Sequence, residues 1–276
     1  MLTMKRLLIL AALALLPSAE LRAEDGAEAD VCKGKLGVER VIEVDTEGGG
    51  LYGDQYPPQD LLKKGEVVLT FDDGPHPTYT KEILAALKAQ CTKATFFNVG
   101  EMVQRFPDVA REVQAEGHTV GTHTWSHPNL GRTSLKRAKS QIEKTIATTD
   151  ATLLNGVAPF FRFPYLSDPK RVREYLAGRN IAVFGIDVDS HDYRTRKPGK
   201  ITDNVLKGLI KTGGGIILFH DIHPQTAKAL PEVLDELQRH GFHVVHLVAK
   251  SKVEVAVVDD AEPEPKKSGK KRRHKK

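Results

Sequence analysis

Short apolar runs alternate with longer amphipathic stretches between residues 66 and 249 of the chain. Seven of these runs have the length and the residue types of β-strands: EVVLTFDD, ATFFNVG, HTVGTHTW, FFRFPY, IAVFGIDVD, GIILFHDI and FHVVHLV. The stretches between them repeat apolar residues at helical spacing, and Ser134 is the expected N-cap of the longest helix. Strands that alternate with helices are typical of a parallel sheet. We therefore predict an α/β barrel or barrel-like fold of about seven parallel strands, with an open doubly wound sheet as the alternative.

The residues outside this pattern predict three further parts of the chain. Residues 1–23 begin with two basic residues, continue with an apolar run and end with small residues, which is the layout of a secretory signal peptide. The apolar run is shorter than the roughly 20 residues that span a bilayer, and an uncleaved membrane anchor is the alternative. Residues 24–65 form an extended lead-in, residues 66–250 one catalytic domain, and residues 251–276 a linker and a disordered basic tail. We expect an exported protein, periplasmic or secreted.

The positive charge of the chain is concentrated at its C-terminus. From Lys266 onward the sequence KKSGKKRRHKK holds eight Lys or Arg and no acid, which exceeds the net charge of +5 of the whole chain. Such a block favours a disordered tether. Outside the cell its expected partner is an anionic cell-wall polymer or a membrane surface, not nucleic acid, and a solubilising end without a partner is the alternative. Cys32 and Cys91 can pair in an exported protein, but the sequence leaves their pairing open, as it does the oligomeric state.

In either fold, the reactive groups of an enzyme collect at the carboxyl ends of the parallel strands. The acidic, basic and histidine residues of this sequence follow the predicted strands in that way. They form five clusters: Asp72 and Asp73; His123 and His127; Arg162 and Tyr165; Asp187, Asp189 and Asp192; and His220 and Asp221. Because solvated turns would not place all five clusters at one rim, the sequence predicts a functional site there.

Two histidines four residues apart in HTWSH, His123 and His127, are candidate metal ligands. On a helix or a helical turn this spacing places both imidazoles on one face, although an H-x-x-x-H pattern alone is a weak signal. The glutamate that follows the first histidine in zinc metalloproteases is absent. We therefore expect the acid pair to supply both a third ligand and the general base. Such a site leaves positions open for water and substrate; zinc fits its ligands, Co²⁺ and Ni²⁺ bind similar sites, and His220 is the expected general acid.

The ordered series TFDDGP, HTWSH, RFPY, DVDSHDY and LFH resembles the motifs of the polysaccharide deacetylases, carbohydrate esterase family 4, which share the NodB-like homology domain. The resemblance covers residues 66–249. It implies a distorted (β/α) barrel in a single catalytic domain and a metal-dependent removal of acetyl groups from a glycan. Peptidoglycan N-acetylglucosamine or a chitin-like oligomer is the expected substrate.

Other functions stay open at this point. An O-acetyl polysaccharide esterase would use the same site, because esters and amides share the tetrahedral intermediate. A catalytically inactive glycan-binding protein would not need the base and the acid that the sequence retains. An iron oxygenase with two histidines and one carboxylate would leave Asp72 and His220 without a function, and a glycosidase would not explain the histidines.

The resemblance also implies a role for each matched residue. The catalytic residues are Asp72 as the general base, Arg162 as the group that holds it, His220 as the general acid, and Asp192 as the partner that raises the pKa of His220. The metal ligands are Asp73, His123 and His127. The substrate-binding residues are Pro164, Tyr165, whose backbone N–H would stabilise the oxyanion, and Leu218 beside the acetyl methyl. Tyr193 stands where tryptophan is usual and Leu166 where glycine is common, so the substrate preference stays open.

Overall fold

The computed structural model describes residues 31–256, and the predicted signal peptide and most of the predicted tail lie outside them. The chain divides into two compact units, residues 1–35 and 36–276. The described part of the first unit is a turn in which Lys35 N donates to Cys32 O at 3.1 Å. Both cysteines of the chain are in the disulfide form. No helix among the described residues is long and apolar enough to cross a membrane.

The second unit is built on one parallel sheet, which has ten strands within residues 36–256. The strands are β1 (Arg40–Val44), β2 (Leu51–Tyr52), β3 (Glu66–Asp72), β4 (Thr95–Asn98), β5 (Thr119–Thr122), β6 (Phe160–Phe161), β7 (Ala182–Phe184), β8 (Val188–Asp189), β9 (Gly215–His220) and β10 (His243–Ala249). Every pair of neighbouring strands is parallel.

The strand order arranges the sheet as a barrel-like layer around β3. β9 pairs with one edge of β3, while β10 and β4 share the other edge, β10 at its start and β4 at its end. From β4 the order continues through β5, β6, β7 and β2, and β8 lies beside β9. The run IAVFGIDVD contributes two strands. Its first half is β7, near one end of the strand order, and its second half is β8, beside β9. The predicted α/β barrel is confirmed, and its distortion lies at this run.

Alternate residues of each strand face two different cores. An inner cluster enclosed by the strands includes Val68, Phe97, Phe160, Phe184 and Ile216. The residues between them pack in a larger outer cluster with the helices. Because successive side chains of a strand point to opposite faces, counting in twos from the inner cluster leads to Asp72, Arg162 and His220. The period of the strands thus aims these three polar groups into the carboxyl end of the barrel.

The helices lie in the predicted stretches between the strands. They are α1 (Tyr79–Ala89), α2 (Gly100–Arg105), α3 (Pro107–Ala115), α4 (Leu135–Thr152), α5 (Lys170–Ala177), α6 (Pro198–Thr212) and α7 (Pro224–Arg239). Ser134 caps α4 as predicted, since its Oγ accepts from Arg137 N at 3.2 Å. Short 3-10 turns follow three strands, at Leu130–Arg132, Pro164–Leu166 and Asp192–Arg194.

The structure differs from the predicted elements in three places. The stretch VQRFPDVAREVQAEG breaks into α2 and α3 at Phe106, because the residue before a proline is disfavoured in the helical region. The lead-in adds β1, which pairs with β10, and β2, which pairs with β7. The division of IAVFGIDVD adds one more strand, so the sheet has ten strands instead of about seven.

Candidate metal and catalytic site

Three predicted ligands converge at the carboxyl end of the barrel. Asp73 Oδ1 lies 3.6 Å from His123 Nε2 and 3.4 Å from His127 Nε2, and all three ligand atoms lie within 4.8 Å of one another. Two ligands held about 2.0–2.2 Å from a tetrahedral metal are separated by roughly 3.3–3.6 Å. Asp73 Oδ1 is buried without a hydrogen-bond partner in the described chain. These donors therefore fit a divalent metal ion.

His123 is held in the state that a metal ligand requires. Its ring is buried, and Nδ1 donates to the backbone oxygen of Arg162 at 2.7 Å. That hydrogen bond leaves the lone pair on Nε2, which faces Asp73. Burial lowers the pKa of His123 to about 3, although the charge of Asp73 opposes the shift. The ring is therefore neutral at physiological pH.

The loop that carries His123 and His127 is not helical, so helical spacing is not what brings the two imidazoles together. Thr124 and His127 have φ of 68° and 54°, in the left-handed region. The Thr124 hydroxyl accepts from His127 N at 3.1 Å, and Gln141 Oε1 on α4 accepts from Ser126 N at 2.9 Å. The two imidazoles meet because these hydrogen bonds fold the loop, and the sequence spacing alone does not bring them together.

Asp72 lies at the end of β3 and is almost fully buried. Arg162 Nη1 donates to Asp72 Oδ1 at 2.8 Å and to Thr70 Oγ1 at 2.7 Å. The same guanidinium donates to the backbone oxygens of Phe184 and Gly185, so its direction is fixed from several sides. Burial raises the pKa of Asp72, and the charge of Arg162 opposes that shift.

Asp72 Oδ2 is the oxygen that faces the metal ligands, at 3.7 Å from His123 Nε2. Its partner Oδ1 is occupied by Arg162. The two neighbouring acids therefore have different surroundings. Asp72 accepts a hydrogen bond from the Arg162 guanidinium, whereas Oδ1 of Asp73 has no hydrogen-bond partner among the described residues and faces the imidazoles of His123 and His127. The left-handed backbone of Asp73, with φ of 77°, turns its side chain away from the direction of the strand.

His220 and Asp192 form a second pair at the rim. His220 Nδ1 and Asp192 Oδ1 are 2.7 Å apart, and His220 N donates to Asp192 Oδ2 at the same distance. The Thr226 hydroxyl also donates to Asp192 Oδ2. Burial alone would lower the pKa of His220, but the hydrogen bond and the charge of Asp192 outweigh it and raise the pKa to about 9. The ring is therefore protonated at neutral pH, with Nε2 directed away from Asp192.

Of the predicted substrate-binding residues, Tyr165 contacts a candidate metal ligand, and Pro164 and Leu218 lie near the ends of β6 and β9. Tyr165 is exposed, and its ring stands edge-on to His127 with the centroids 4.6 Å apart. Pro164 is buried beneath it, and Leu218 is a nearly buried inner residue of β9, the partner of Thr70 on β3. Tyr165 and Leu166 have φ of 59° and 51°, so Leu166 occupies a conformation that glycine adopts more readily.

Backbone strain is concentrated in these loops. Of the eight non-glycine residues with positive φ in the described chain, six lie in the loops at the carboxyl end of the barrel. They are Asp73, Thr124, His127, Tyr165, Leu166 and His191. Residues of this kind persist where the surrounding contacts hold them, which is typical of functional sites.

Asp187 does not join the rim, so the prediction that all five clusters meet there is wrong for this residue. Its Oδ2 accepts from Ile216 N at 2.7 Å, near the start of β9 and at the other end of the barrel from His220. There it lines a cavity of about 500 Å³ together with Tyr52, Asp54 and Lys63. Asp189 does stay at the rim, where its carboxylate accepts from His191 N and from Tyr193 Oη.

Asp221 and Gly74 form a supporting contact that the sequence pattern does not predict. The Asp221 carboxylate is fully buried, and its Oδ2 accepts from Thr80 Oγ1 at 2.5 Å. A Cβ on Gly74 would collide with this carboxylate. Burial raises the pKa of Asp221 to about 7. The available signal was the position of the two residues, each directly beside a motif residue in DDGP and LFHD.

Comparison with known proteins identifies the family. The polysaccharide deacetylase family model matches residues 60–184. A peptidoglycan-N-acetylglucosamine deacetylase of Bacillus cereus is 36% identical over 189 residues, which are 67% of this chain and 67% of the relative. The chain belongs to the polysaccharide deacetylase family. The resemblance seen in the five sequence motifs is thereby confirmed.

Other members of the deacetylase family agree with this assignment. The peptidoglycan-N-acetylglucosamine deacetylase PgdA of Listeria monocytogenes is 38% identical over 181 residues, 65% of this chain. The chain spans only 37% of the length of that relative. The solved structure of a Bdellovibrio bacteriovorus peptidoglycan deacetylase, Bd3279, is 30% identical with a TM-score of 0.71 and covers 84% of this chain and 70% of its own.

Proposed function

We propose that the protein is an exported, metal-dependent deacetylase that hydrolyses N-acetyl groups of a glycan, with peptidoglycan N-acetylglucosamine as the substrate. The observation that carries this proposal is that a candidate base, Asp72, and a candidate acid, His220, both lie at the same end of the barrel as the three candidate metal ligands. Arg162 donates to Asp72 and favours its anion against the effect of burial, and Asp192 favours the protonated form of His220. The family membership of the chain supports the same activity.

Asp73, His123 and His127 would hold the metal. A divalent ion held by these donors would polarise the acetyl carbonyl and lower the pKa of a bound water. Zinc suits one carboxylate and two imidazoles, and Co²⁺ or Ni²⁺ would also bind them. The hydrogen bond from His123 Nδ1 to the Arg162 carbonyl links the metal site to the residue that holds the base.

Asp72 acts as the general base in this proposal. Its Oδ1 is bound to Arg162, so the proton of the attacking water passes to Oδ2, the oxygen that faces the ligands. The oxygen of that water forms a bond to the acetyl carbon. Arg162 fixes the direction of Oδ2, because four acceptors around the guanidinium prevent it from turning.

His220 acts as the general acid. Asp192 accepts from Nδ1, so the proton on Nε2 is the one available to the leaving nitrogen. As the carbon–nitrogen bond breaks, the sugar amine takes this proton and acetate leaves the site. The backbone N–H of Tyr165 stabilises the oxyanion, and Leu218 contacts the acetyl methyl. A preorganised donor of this kind lowers the barrier by a few kcal/mol.

The alternatives keep the same fold and change the reaction. An O-acetyl polysaccharide esterase would depend less on a proton donor such as His220, because an alkoxide leaves more readily than an amide nitrogen. The hydrogen-bonded His220–Asp192 pair therefore favours the amide substrate. An inactive glycan-binding protein would have no use for this pair or for the grip of Arg162 on Asp72.

Acetate release tests the proposal. The mature, zinc-loaded protein is incubated with peptidoglycan, with N-acetylglucosamine oligomers and with an O-acetylated polysaccharide, and acetate is measured enzymatically. We expect release from the two N-acetylated substrates and a new amine on the sugar. Release from the O-acetylated substrate alone would support the esterase, and no release from any of them by the metal-bound protein would support the binding protein.

A further inference from the structure

Four exposed cationic residues lie within eight positions after Asp192, the residue bonded to His220. The segment HDYRTRKPGK, residues 191–200, contains Arg194, Arg196, Lys197 and Lys200. Its one acid, Asp192, is buried and already bonded to His220. The four side chains, which we call the basic edge, therefore carry positive charge to the surface beside the general acid.

Two of these cations lie close to the catalytic rim. The Arg194 guanidinium stands over the ring of Tyr193 at 5.2 Å, and that ring is 5.4 Å from the ring of His220. Arg196 Nη1 donates to Gln225 Oε1 at 3.4 Å, and Gln225 Nε2 donates to the backbone oxygen of Asp192 at 2.9 Å. Both guanidinium groups are thus positioned by residues that touch the His220–Asp192 pair.

The fold does not account for these charges. Within residues 31–256, none of the four cations forms an ion pair with a carboxylate. The rim carboxylate of Asp189 is occupied by His191 and Tyr193. Lys197 occupies the N-cap position of α6, and Lys200 lies in the first turn of that helix. The helix dipole disfavours positive charge at this end. The first turn of α6 also contains no acid that could offset these charges.

We propose that the basic edge binds carboxylate groups of the glycan next to the sugar that is deacetylated. This inference rests on the proposed function and narrows its substrate to an acidic glycan. Peptidoglycan carries carboxylates on its stem peptides, and on muramic acid residues that have lost their peptide, whereas a chitin-like oligomer is neutral. Arginine presents a planar fork of donors that matches a carboxylate, and Arg194 is stacked on a ring that holds it toward the rim. Lys197 and Lys200 add attraction that falls as salt rises.

The test compares two double variants with equal loss of charge. Arg194→Gln with Arg196→Gln removes the inner pair of the basic edge. Lys207→Gln with Lys211→Gln is the matched control, because both lysines are exposed in the C-terminal half of α6, away from Lys197 at its N-terminus. Binding of soluble peptidoglycan fragments and of N-acetylglucosamine oligomers is measured by calorimetry at low and high salt. The same fragments with their carboxylates converted to methyl esters are a third ligand.

We expect the arginine variant to bind carboxylated fragments about tenfold more weakly than the wild type at low salt, with a smaller salt dependence. The loss should disappear for the methyl-esterified fragments, which the wild type should also bind weakly. Where acetate release is measurable, the ratio of kcat/KM for carboxylated over neutral substrate should fall by a similar factor. The lysine control should keep the wild-type ratio.

Equal loss on carboxylated and esterified fragments would overturn the inference, as would an equal loss in the lysine control. These outcomes differ from failure of the proposed function. A wild-type protein that binds carboxylated fragments through Arg194 and Arg196 but releases no acetate would refute the deacetylase and keep the basic edge. If acetate release is unchanged by both arginine substitutions and by esterification of the carboxylates, the deacetylase is supported and the role of the basic edge is refuted.

Discussion

Gly74 packs so tightly against the buried carboxylate of Asp221 that no side chain fits at that position. A Cβ on Gly74 would overlap the Asp221 carboxylate, which is itself held by Thr80. We expect Gly74→Ala to lower the free energy of unfolding by roughly 1–3 kcal/mol, the range for overpacked cores. It should also weaken metal binding, because Gly74 follows Asp73 directly. Urea unfolding and metal titration measure the two effects.

Two comparisons make the Gly74→Ala result specific. A Cβ on Gly199 in α6 would meet open space, with no neighbouring atom within 4 Å, and the backbone there does not need positive φ. Gly199→Ala should therefore not destabilise the protein. In an Asp221→Ala background the clash is absent, and Gly74→Ala should then lower stability much less. Equal destabilisation in both backgrounds would show that the contact with Asp221 is not the cause.

Asp192 sets the protonation of His220, and this gives a prediction for the pH profile. The raised pKa of about 9 keeps the acid protonated up to that pH, so activity should be lost only as pH rises through it. Asp192→Asn removes the charge that raises the pKa. We expect the alkaline limb of kcat/KM to move down by roughly 1–2 pH units. Asp203→Asn, at an exposed acid of α6, is the matched control, and an unmoved limb in Asp192→Asn would contradict the assignment of the acid.

Residue chemistry was the part of the site most open to prediction. Asp72, Asp73, His123, Arg162 and His220 all lie at the carboxyl end of the barrel, because strand ends and the period of two fix their placement. The sequence could not predict the left-handed loop around His127, since it depends on hydrogen bonds from Thr124 and Gln141. The sequence marked Asp221 and Gly74 only as neighbours of motif residues, and it could not predict their contact because they are far apart in the chain.

Strands β5 and β10 enclose two buried histidines that make stability sensitive to acid. Burial lowers the pKa of His118 to about 3 and that of His246 to about 4, and the charge of Lys93 adds to both shifts. The unfolded chain has histidine pKa values near 6.5. It therefore binds more protons than the folded protein between about pH 4 and pH 6.5, and this part of the stability is lost as pH falls through that window.

His246→Gln tests the effect at this pair of strands. Glutamine can keep the hydrogen bond that His246 Nε2 forms with Thr119 at 3.0 Å, but it does not titrate. Between pH 6.5 and pH 4 the free energy of unfolding of the variant should fall less steeply than that of the wild type, by about 1.4 kcal/mol per pH unit. The comparison cancels the opposite contribution of Asp221, whose pKa is raised to about 7. The urea midpoints of the variant and the wild type are measured across this pH range. An equal decrease of both midpoints with falling pH would contradict the prediction.

At the scale of elements, periodicity was sufficient where a strand or helix is long. The runs that became β3, β9 and β10 were predicted as strands, and the long helix α4 begins after its predicted cap. β2 has only two residues and is defined by its pairing with β7, so no local sequence pattern predicts it. The break between α2 and α3 was readable from Pro107, but the apolar spacing on both sides favoured one helix.

At the scale of the whole molecule, the lead-in extends the sheet beside the backbone that holds Arg162. β2 pairs with β7, Gly185 N donates to Tyr52 O at 2.6 Å, and Asp54 N donates to Ile186 O at 3.0 Å. Gly185 O in turn accepts from Arg162 Nη2 at 2.9 Å. The segment predicted as an extended lead-in therefore supports the residue that holds Asp72. Sequence patterns did not indicate this role, because the contacts are made by backbone atoms.

In the proposed mechanism two neighbouring acids have separate functions, Asp72 as the base and Asp73 as a metal ligand. The most direct measurement is zinc content beside acetate release for Asp72→Asn and Asp73→Asn, purified identically and loaded with zinc. We predict that Asp72→Asn keeps close to one zinc per chain and loses acetate release by at least a hundredfold. Asp73→Asn should lose most of its zinc together with its activity. Zinc lost from Asp72→Asn but retained by Asp73→Asn would contradict the account and exchange the two roles.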